Sequence, residues 1–415
     1  MSATGENAAA DGRPVAPRSP ADSGPQCPAP HSRRVLILTS STGGGHDMQA
    51  LAFQTWARLQ PGWGLEVAVD RPLEQGHGLY RFGVELYNFI HRTAPWLHHV
   101  YYSFLELVPV VRATTPLGAP RFRAMLETVR PDLLLSVHDS LNHAFFEYAR
   151  RVLGRQRIQC ATYCMELGGG YGFSRHWVNP AADLFIGGTE ETCAAAVDLG
   201  MPKDRVALGG FLLRPAFYAP PLEEAARRAF LREKLQLDPQ AFTLLMTASG
   251  LGANHHLTFL EAIQPWHREV QVIALCGRSI ATAERIEAWA RDHPQWRIRV
   301  LPADADLGLL MRSASALLAR ASGTVVSEAI VSGCPLLLNA LGGLMPQEMI
   351  TAQYCRRHGL AETVRQPRDL VHWIRRWLDE PGQRQAIRQR MQATRPSAQP
   401  GDLLRLVAAL GRPLP

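Results

Sequence analysis

The feature that most constrains this chain is a repeated alternation of short apolar runs with longer segments of helical periodicity. In the first half, the apolar runs predict buried strands at residues 35–39, 65–69, 133–137, 159–163 and 184–186. In the second half, they predict strands at residues 243–247, 271–275, 298–301, 316–318 and 335–339. Strands that alternate with helices pair in parallel, so each half is expected to form an open, doubly wound α/β sheet.

A proline-rich break at residues 211–221 separates the two halves. A chain of 415 residues also exceeds what one hydrophobic core usually organises, so two domains are expected. The prediction divides the chain into four segments: a disordered tail (1–32), an N-terminal Rossmann-like domain (33–212), a C-terminal Rossmann-like domain (220–395), and a C-terminal helix with a tail (396–415).

Composition narrows the classes of partner. Lys and Arg number 44 against 37 Asp and Glu, and the resulting net charge of +7 favours phosphates or anionic lipid headgroups. No basic stripe with interleaved aromatic residues is present, so no nucleic acid partner is expected. The apolar runs are shorter than the ~20 residues of a transmembrane helix, and the first thirty residues lack the apolar core of a secretory signal. We therefore expect a cytoplasmic protein that is soluble or peripheral to a membrane.

Residues 78–112 interrupt the alternation with an aromatic segment of little net charge. One interpretation is a helical insertion that packs on the N-terminal domain. The other is a lipid-facing region at the inner face of the cell membrane, because Trp and Tyr beside basic residues suit the boundary between headgroups and acyl chains. On the second interpretation, Trp96 is a candidate acceptor-binding residue.

A glycine cluster follows the first predicted strand, where open α/β sheets bind their ligands. Gly43, Gly44 and Gly45 allow the backbone to approach a ligand closely, and the helix behind them favours negative charge at its N-terminus. The segment is neither a Walker loop nor a GxGxxG fingerprint. His46 comes next and is a candidate general base, because the ordinary pKa of histidine suits proton transfer at neutral pH. The alternative is a histidine that only caps or packs the helix.

The second half offers a matching signal. Ser322 and Gly323 form a turn after a predicted strand, and Glu328 lies in the helix that follows. A carboxylate near a helix N-terminus that faces a diphosphate can accept hydrogen bonds from ribose hydroxyls, as it does in dinucleotide sites. The alternative is a glutamate that only complements the helix dipole. Gln347 and Glu348 follow the next strand and extend the polar set.

Several short motifs occur in the order typical of one family: TGGGH (42–46), SVH (136–138), RASGTVVSEA (320–329), GCPLLLN (333–339) and QE (347–348). Together they resemble the monogalactosyldiacylglycerol synthase and processive diacylglycerol glucosyltransferase family. The bacterial peptidoglycan lipid-intermediate glycosyltransferase is a more distant relative of that family. The resemblance implies a GT-B fold, in which two Rossmann-like domains face each other.

The resemblance also assigns roles to residues of this chain. The nucleotide-sugar donor would contact Ser249, Gly250, Gly252, Arg320, Ser322, Gly323, Glu328, Gln347 and Glu348. The acceptor side would include Gly43, Gly44, Gly45 and Trp177, with Trp96 added from the aromatic insertion. The base would be one of His46, His138 and Glu166, which the sequence leaves open.

The implied activity is transfer of galactose or glucose from a UDP-sugar to diacylglycerol or a related lipid, without a metal or other cofactor. Asp304 and Asp306 match a DxD metal motif superficially, but they precede a predicted helix and are expected to be caps. Glu166 stands where the family has an Asp, and Thr351 where it has an Asn, which indicates an unusual donor or acceptor. The alternatives are a UDP-sugar epimerase of the same fold and a noncatalytic protein that binds nucleotide-sugar or lipid.

Overall fold

The structure is a computed structural model that describes residues 32–93, 95–107, 115–248 and 255–411. Its first sheet contains six parallel strands: β1 (Arg33–Leu38), β2 (Leu65–Asp70), β3 (Leu133–Ser136), β4 (Gln159–Cys164), β5 (Leu184–Gly187) and β6 (Val206–Leu208). Its second sheet contains six more: β7 (Phe242–Thr247), β8 (Val270–Leu275), β9 (Ile298–Leu301), β10 (Ala316–Ala319), β11 (Leu336–Asn339) and β12 (Ala361–Val364).

The strands are apolar without alternation because helices cover both faces of each sheet. In β1, for example, the four residues from Val35 to Leu38 are all fully buried. The predicted pair of doubly wound parallel sheets is therefore confirmed. The sequence prediction missed two short edge strands, β6 and β12, which are only partly buried over most of their length.

Helices of the first domain flank its sheet: α1 (Gly45–Leu59), α2 (Pro72–Gly76), α3 (Gly78–Thr93), α4 (His98–Leu107), α5 (Ala119–Val129), α6 (Ala144–Leu153) and α7 (Glu190–Asp198). The rest of the chain adds nine helices within the described residues: α8 (Glu224–Ala229), α9 (His256–Ile263), α10 (Ile280–Asp292), α11 (Leu307–Ser313), α12 (Gly323–Ser332), α13 (Pro346–His358), α14 (Pro367–Asp379), α15 (Pro381–Thr394) and α16 (Pro400–Ala409). None of these described helices combines the length and apolar character needed to cross a membrane.

The order of the strands in each sheet shows at which edge of the sheet a ligand is expected to bind. The first sheet has the order β2-β1-β3-β4-β5-β6, and the second has β12-β11-β10-β7-β8-β9. The direction of winding reverses between β1 and β3 in the first sheet and between β7 and β10 in the second. Ligands of such sheets bind outside the carboxyl ends of the strands at this switch point. The loops after β1, β3 and β10 all lie there.

The last helix returns to the first domain. After α15 the chain crosses back, and α16 packs beside α1. Arg33 of β1 anchors it, because its guanidinium donates hydrogen bonds of 3.0 Å to the carbonyls of Val407 and Ala408. The two domains are therefore joined by two chain crossings, at residues 209–223 and 395–399. The predicted tail at 1–32 lies outside the described residues, apart from residue 32.

Candidate active site

The glycine loop after β1 brings the start of α1 against the second domain. Gly43 and Gly44 have φ angles of 66° and 85°, in the left-handed region that glycine adopts without strain. A Cβ atom on Gly45 would lie 2.8 Å from Oγ1 of Thr324, in the first turn of α12. A side chain at position 45 would therefore have to displace the side chain of Thr324 in the opposite domain.

The start of α12 approaches the first domain in the same way. Ser322 caps the helix, since its Oγ accepts a hydrogen bond of 3.3 Å from the backbone N–H of Val325. A Cβ atom on Gly323 would lie 2.8 Å from the carbonyl oxygen of Met165, in the loop after β4. The N-termini of α1 and α12 thus meet across the cleft. Each carries about half a positive charge, so an anion held between them would be stabilised by both.

His46 lies at this junction with one ring nitrogen fixed. Its Nδ1 is 2.7 Å from the carbonyl oxygen of Val137, so Nδ1 carries the proton and donates it. Burial, followed by the neighbouring charge of His138, lowers the pKa of His46 to about 4. At neutral pH the ring is therefore uncharged, and Nε2 has its lone pair free. Nε2 has no hydrogen-bond partner among the residues that the structure describes.

His138 has both ring nitrogens engaged. Its Nε2 lies 2.8 Å from Oγ1 of Thr42 in the glycine loop, and its Nδ1 lies 3.0 Å from Oδ1 of Asp139. Asp139 also accepts a 3.0 Å hydrogen bond from the hydroxyl of Ser140. Burial alone would raise the pKa of Asp139, but the hydrogen bond and charge of His138 outweigh it and hold the pKa well below its usual range. The contacts that link Thr42 to His138 and His138 to Asp139 therefore hold the glycine loop in place.

Glu166 is the third candidate base and has the opposite electrostatic character. It follows β4 and lies near Asp139; burial first, then the charge of Asp139, raises the pKa of Glu166 to about 8. A carboxyl group with that pKa is mostly protonated at pH 7 and cannot accept a proton in that form. The geometry therefore favours His46 over His138 and Glu166 as the base.

Glu328 is a buried acidic residue on α12. The residue is 5% exposed, and its carboxyl has no hydrogen-bond donor among the residues that the structure describes. Burial raises its pKa to about 8, with only a small opposing effect from the charge of Arg214. A buried carboxyl without a donor is costly, and two ribose hydroxyls would supply the missing hydrogen bonds.

Arg320 and Glu348, both predicted to bind the donor, satisfy each other in this structure. The Arg320 guanidinium makes a two-point contact with the Glu348 carboxylate, with one bond of 2.9 Å from Nε to Oε1. Glu348 also accepts a 2.9 Å hydrogen bond from the backbone N–H of Met345, and Arg320 donates one of 2.8 Å to the carbonyl of Gly343. The pair thus shapes the loop between β11 and α13, and its direct contact with a donor stays a prediction.

The aromatic insertion forms one wall of the cleft. Gln347 at the start of α13 donates a 2.7 Å hydrogen bond to the hydroxyl of Tyr87 on α3. On α4, the ring of His99 lies 2.9 Å from the carbonyl oxygen of Leu344 and 2.8 Å from the hydroxyl of Tyr171. The insertion therefore does pack on the first domain, as one interpretation predicted, but it also contacts the second.

The outer face of the same insertion is apolar and exposed. More than half of the surface of six large side chains is accessible: Leu79, Phe82, Phe89, Trp96, Val100 and Phe104. These side chains lie on two helices that contact each other and on the short segment between them, and exposed apolar groups of this kind often mark a binding surface. Trp96 is 63% exposed on this face, whereas Trp177 is buried and its ring lies 6.0 Å from that of His46. The two tryptophans predicted for the acceptor side are therefore in different environments.

Some predicted residues cannot be placed, and the sequence analysis missed others. Ser249, Gly250 and Gly252 lie outside the described residues. Asp306 caps α11 by accepting a 2.9 Å hydrogen bond from the backbone N–H of Leu309, as predicted. Asp139 was missed although it directly follows the SVH motif, where a carboxylate next to a histidine at a strand end is a usable signal. Tyr87 and His99 were missed because their roles depend on contacts with the other domain.

Comparison with curated proteins agrees with the resemblance of the motifs. The chain matches no protein-family model. It is 23% identical over 377 residues to a probable monogalactosyldiacylglycerol synthase 3 of Oryza sativa, and the aligned region covers 85% of this chain and 69% of the relative. It is also 23% identical over 381 residues to monogalactosyldiacylglycerol synthase 2 of Arabidopsis thaliana, where the aligned region covers 85% of this chain and 75% of the relative. The predicted family resemblance is confirmed.

Solved structures share the fold. MurG of Acinetobacter baumannii superimposes with a TM-score of 0.58 at 15% identity, over 90% of this chain and 99% of that protein. Anabaena HepE, solved with UDP-glucose, has a TM-score of 0.54 at 15% identity, over 91% of this chain and 98% of that protein. A putative UDP-N-acetylglucosamine 2-epimerase of Listeria monocytogenes has a TM-score of 0.54 at 14% identity, over 91% of this chain and 95% of that protein. The predicted GT-B architecture is confirmed.

Proposed function

We propose that this chain, which resembles monogalactosyldiacylglycerol synthases over most of its length, transfers a hexose from a UDP-sugar to a lipid hydroxyl at a membrane surface. The single observation that best supports the proposal is the position of His46. Its free Nε2 lies where the N-termini of α1 and α12 meet, so a base and an anion-binding site share one cleft. Diacylglycerol is the acceptor we propose, and galactose or glucose is the sugar.

In the proposed reaction, the acceptor hydroxyl gives its proton to Nε2 of His46 as its oxygen attacks the anomeric carbon. Val137 holds the ring in the tautomer that leaves Nε2 open, and its carbonyl stabilises the imidazolium once the proton has arrived. The negative diphosphate beside the ring raises the basicity of His46 above that in the empty cleft. General base catalysis of this kind contributes roughly 10²- to 10⁴-fold in rate.

The bond between the anomeric carbon and the phosphate oxygen breaks in the same step, and UDP leaves with an added negative charge. The proposed compensation comes from the backbone N–H groups at the starts of α1 and α12. Fixed dipoles of this type stabilise a developing charge without reorganisation. No metal ion or other cofactor is needed in this scheme.

The proposed donor site is completed by Glu328, which would accept hydrogen bonds from the two ribose hydroxyls. Ser322 and Gly323 would lie along the diphosphate at the cap of α12. Gln347 would reach the sugar hydroxyls after exchanging its bond with Tyr87. Because Gly45 and Gly323 pack so closely against the opposite domain, the donor would enter when the two domains separate.

The exposed aromatic face of α3 and α4 supports the lipid side of the proposal. Tyr87 faces the cleft from α3, while Phe82 and Phe89 of the same helix are exposed. One helix thus connects an apolar outer surface with the reaction centre. We propose that this surface sits on the inner face of the cell membrane, with anionic headgroups attracted by the chain's net positive charge.

Two other functions predict different products. A UDP-sugar epimerase would act on the donor alone, and a noncatalytic binding protein would leave the sugar on UDP. The experiment incubates UDP-galactose or UDP-glucose, radiolabelled in the sugar, with vesicles that contain diacylglycerol, and the lipids are then extracted into organic solvent. Label in the organic phase that is absent with His46→Ala supports the proposal. A changed sugar that stays on UDP would support the epimerase, and an unchanged UDP-sugar would support the binding protein.

A further inference from the structure

A second cavity lies far from the cleft, at the junction of the two chain crossings. Its volume is about 660 Å³, which suits a small molecule. Pro221 and Leu222 line it from the first crossing, and Arg395 lines it from the second. The starts of β7 and β10 form its floor, so it opens at the amino-terminal edge of the second sheet. The reaction cleft lies at the opposite edge.

The lining of this cavity is strongly basic. Five arginines surround it: Arg227, Arg312, Arg384, Arg388 and Arg395. Glu224 is the one acidic residue among its lining residues, and it pairs with Arg227 through a bond of 2.8 Å. Of the other four arginines, Arg312 has the charge of Asp306 nearby, whereas Arg384, Arg388 and Arg395 form no ion pair within the described residues. The end of α12 at Gly333 contributes only about half a negative charge, which cannot balance them.

The arginines differ in how well they are held. Arg227 donates to the carbonyls of Ser313 and Pro239 as well as to Glu224, and Arg312 donates from Nη1 to the carbonyl of Ala216 at 2.6 Å. The Nε atoms of Arg312 and Arg384 are buried and have no hydrogen-bond partner in the described part of the chain. Arg384 and Arg388 are four residues apart on α15, a spacing at which like charges destabilise a helix. Burial, followed by the charges of Arg388 and Arg227, lowers the pKa of Arg384 to about 10. Folding thus gathers charges that repel each other around an open space.

We propose that this cavity is a binding site for a phosphate-bearing ligand, distinct from the UDP-sugar site. Guanidinium groups match phosphate oxygens in pairs, and several of them around one cavity suit a group with two or more negative charges. The ring of Phe242 beneath Arg384, 5.1 Å from its guanidinium carbon, holds that side chain in position. The phosphate belongs either to a small soluble molecule or to a lipid headgroup. The inference does not depend on the proposed transferase activity.

Occupancy of the cavity is expected to affect the cleft. The ten residues of α12 run from Gly323 in the cleft to Ser332 at the cavity, a distance of about 15 Å. The ligand would also bridge both chain crossings, about which the domains must rotate to open. Binding is therefore expected to change how readily the cleft opens, while the cleft residues themselves remain unaltered.

The test uses the full chain and inorganic pyrophosphate as the soluble probe, measured by calorimetry. The variant is the double substitution Arg384→Gln with Arg388→Gln. The control is Arg285→Gln with Arg291→Gln, which removes the same charge from exposed positions on α10. Pyrophosphate can also bind between the helix N-termini in the cleft, so the number of molecules bound is compared. The variant should bind one fewer than wild type over the same concentration range, because its cavity binds at least about tenfold more weakly, and the control should bind as many as wild type. Arg395→Gln alone should weaken binding in the same direction if the double variant does not fold.

Vesicles distinguish the two sources of phosphate. If pyrophosphate does not bind, retention on phosphatidylcholine vesicles that contain phosphatidylglycerol is compared in the Trp96→Ser with Phe104→Ser background, so that the exposed aromatic face does not hold the protein on the vesicle. Retention that is lost with the arginine substitutions of the variant and kept with those of the control assigns the cavity to a lipid headgroup. The proposal is overturned if wild type and variant bind both probes equally. It is also overturned if variant and control lose binding to the same extent. Failure of wild type to bind either probe overturns it as well.

Discussion

Replacing Glu328 with glutamine separates what this residue does for folding from what it does for binding. The pKa of Glu328 is raised from 4.5 to about 8, so the folded protein holds this proton more tightly than the unfolded chain does. Its contribution to stability is therefore present below pH 4.5 and is lost as pH rises through about 8. With about 1.4 kcal/mol for each pKa unit, a rise from 4.5 to about 8 means that the ionised carboxylate costs the empty protein on the order of 5 kcal/mol above that pH.

Glu328→Gln keeps the shape of the side chain and removes the free-energy cost of burying an ionised carboxylate. The free energy of unfolding should hardly change at pH 5 and should rise by an amount on the order of 5 kcal/mol at pH 9, measured by urea denaturation. UDP binding should weaken about tenfold or more at pH 9, because two bonds to a charged acceptor become bonds to a neutral one. The residue that binds the ribose is thus expected to destabilise the empty protein.

The pH dependence of binding supplies the sharpest readout. Wild type must release a proton from Glu328 when the ribose binds, so its affinity should rise as pH approaches 8, by up to about tenfold per pH unit. The variant has no such proton, and its profile reports only the titration of UDP and the other groups. Glu362→Gln is the matched control, since burial also raises the pKa of Glu362 on β12. If Glu328→Gln leaves both the UDP profile and the stability profile unchanged, the assigned role is wrong.

Further predictions concern the base, the diphosphate, the domain contact and the membrane. His46→Ala should lower kcat roughly 10²- to 10⁴-fold with UDP affinity retained in calorimetry; an equal loss of UDP affinity would make it a binding residue. Turnover should persist in excess EDTA, and loss that manganese restores would contradict the helix-dipole account. Gly323→Val should prevent closure because Met165 blocks the added side chain, so scattering should give a larger radius of gyration than for wild type. Trp96→Ser with Phe104→Ser should weaken sedimentation with anionic vesicles at least tenfold, from about 2 to 4 kcal/mol of lost apolar burial. Added salt should also weaken the binding of the wild-type protein to these vesicles. If the two substitutions leave the vesicle-bound fraction unchanged, this face does not enter the lipid.

The candidate site was only partly readable from the sequence. The Gly43–Gly45 cluster and Ser322 could be found because strand ends, turns and helix starts leave local signals in residue type and spacing. The choice among His46, His138 and Glu166 could not be made in that way. All three follow strands, and what distinguishes them is which hydrogen bonds and charges surround each side chain in the folded cleft.

The roles expected for Arg320 and Glu348 illustrate the same limit. Their motifs indicate a polar function at the ends of neighbouring strands, but residue type cannot tell a contact with a ligand from a contact between the two side chains. In the structure they form a buried ion pair that supports a loop. The basic cavity is a stronger case, because its arginines come from three separated segments of the chain, and only tertiary packing brings them together.

Residue patterns were enough to predict the pair of parallel sheets and the edges at which ligands would bind. Burial on both faces requires unbroken apolar strands, and the order of strands and helices then leaves few topologies. The folded protein was needed to find which histidine has an open ring nitrogen, which buried carboxyl has no donor among the described residues, and how the aromatic insertion contacts both domains. These properties depend on neighbours that are distant along the chain, since burial and the local field set a pKa and a hydrogen bond needs both of its partners in place.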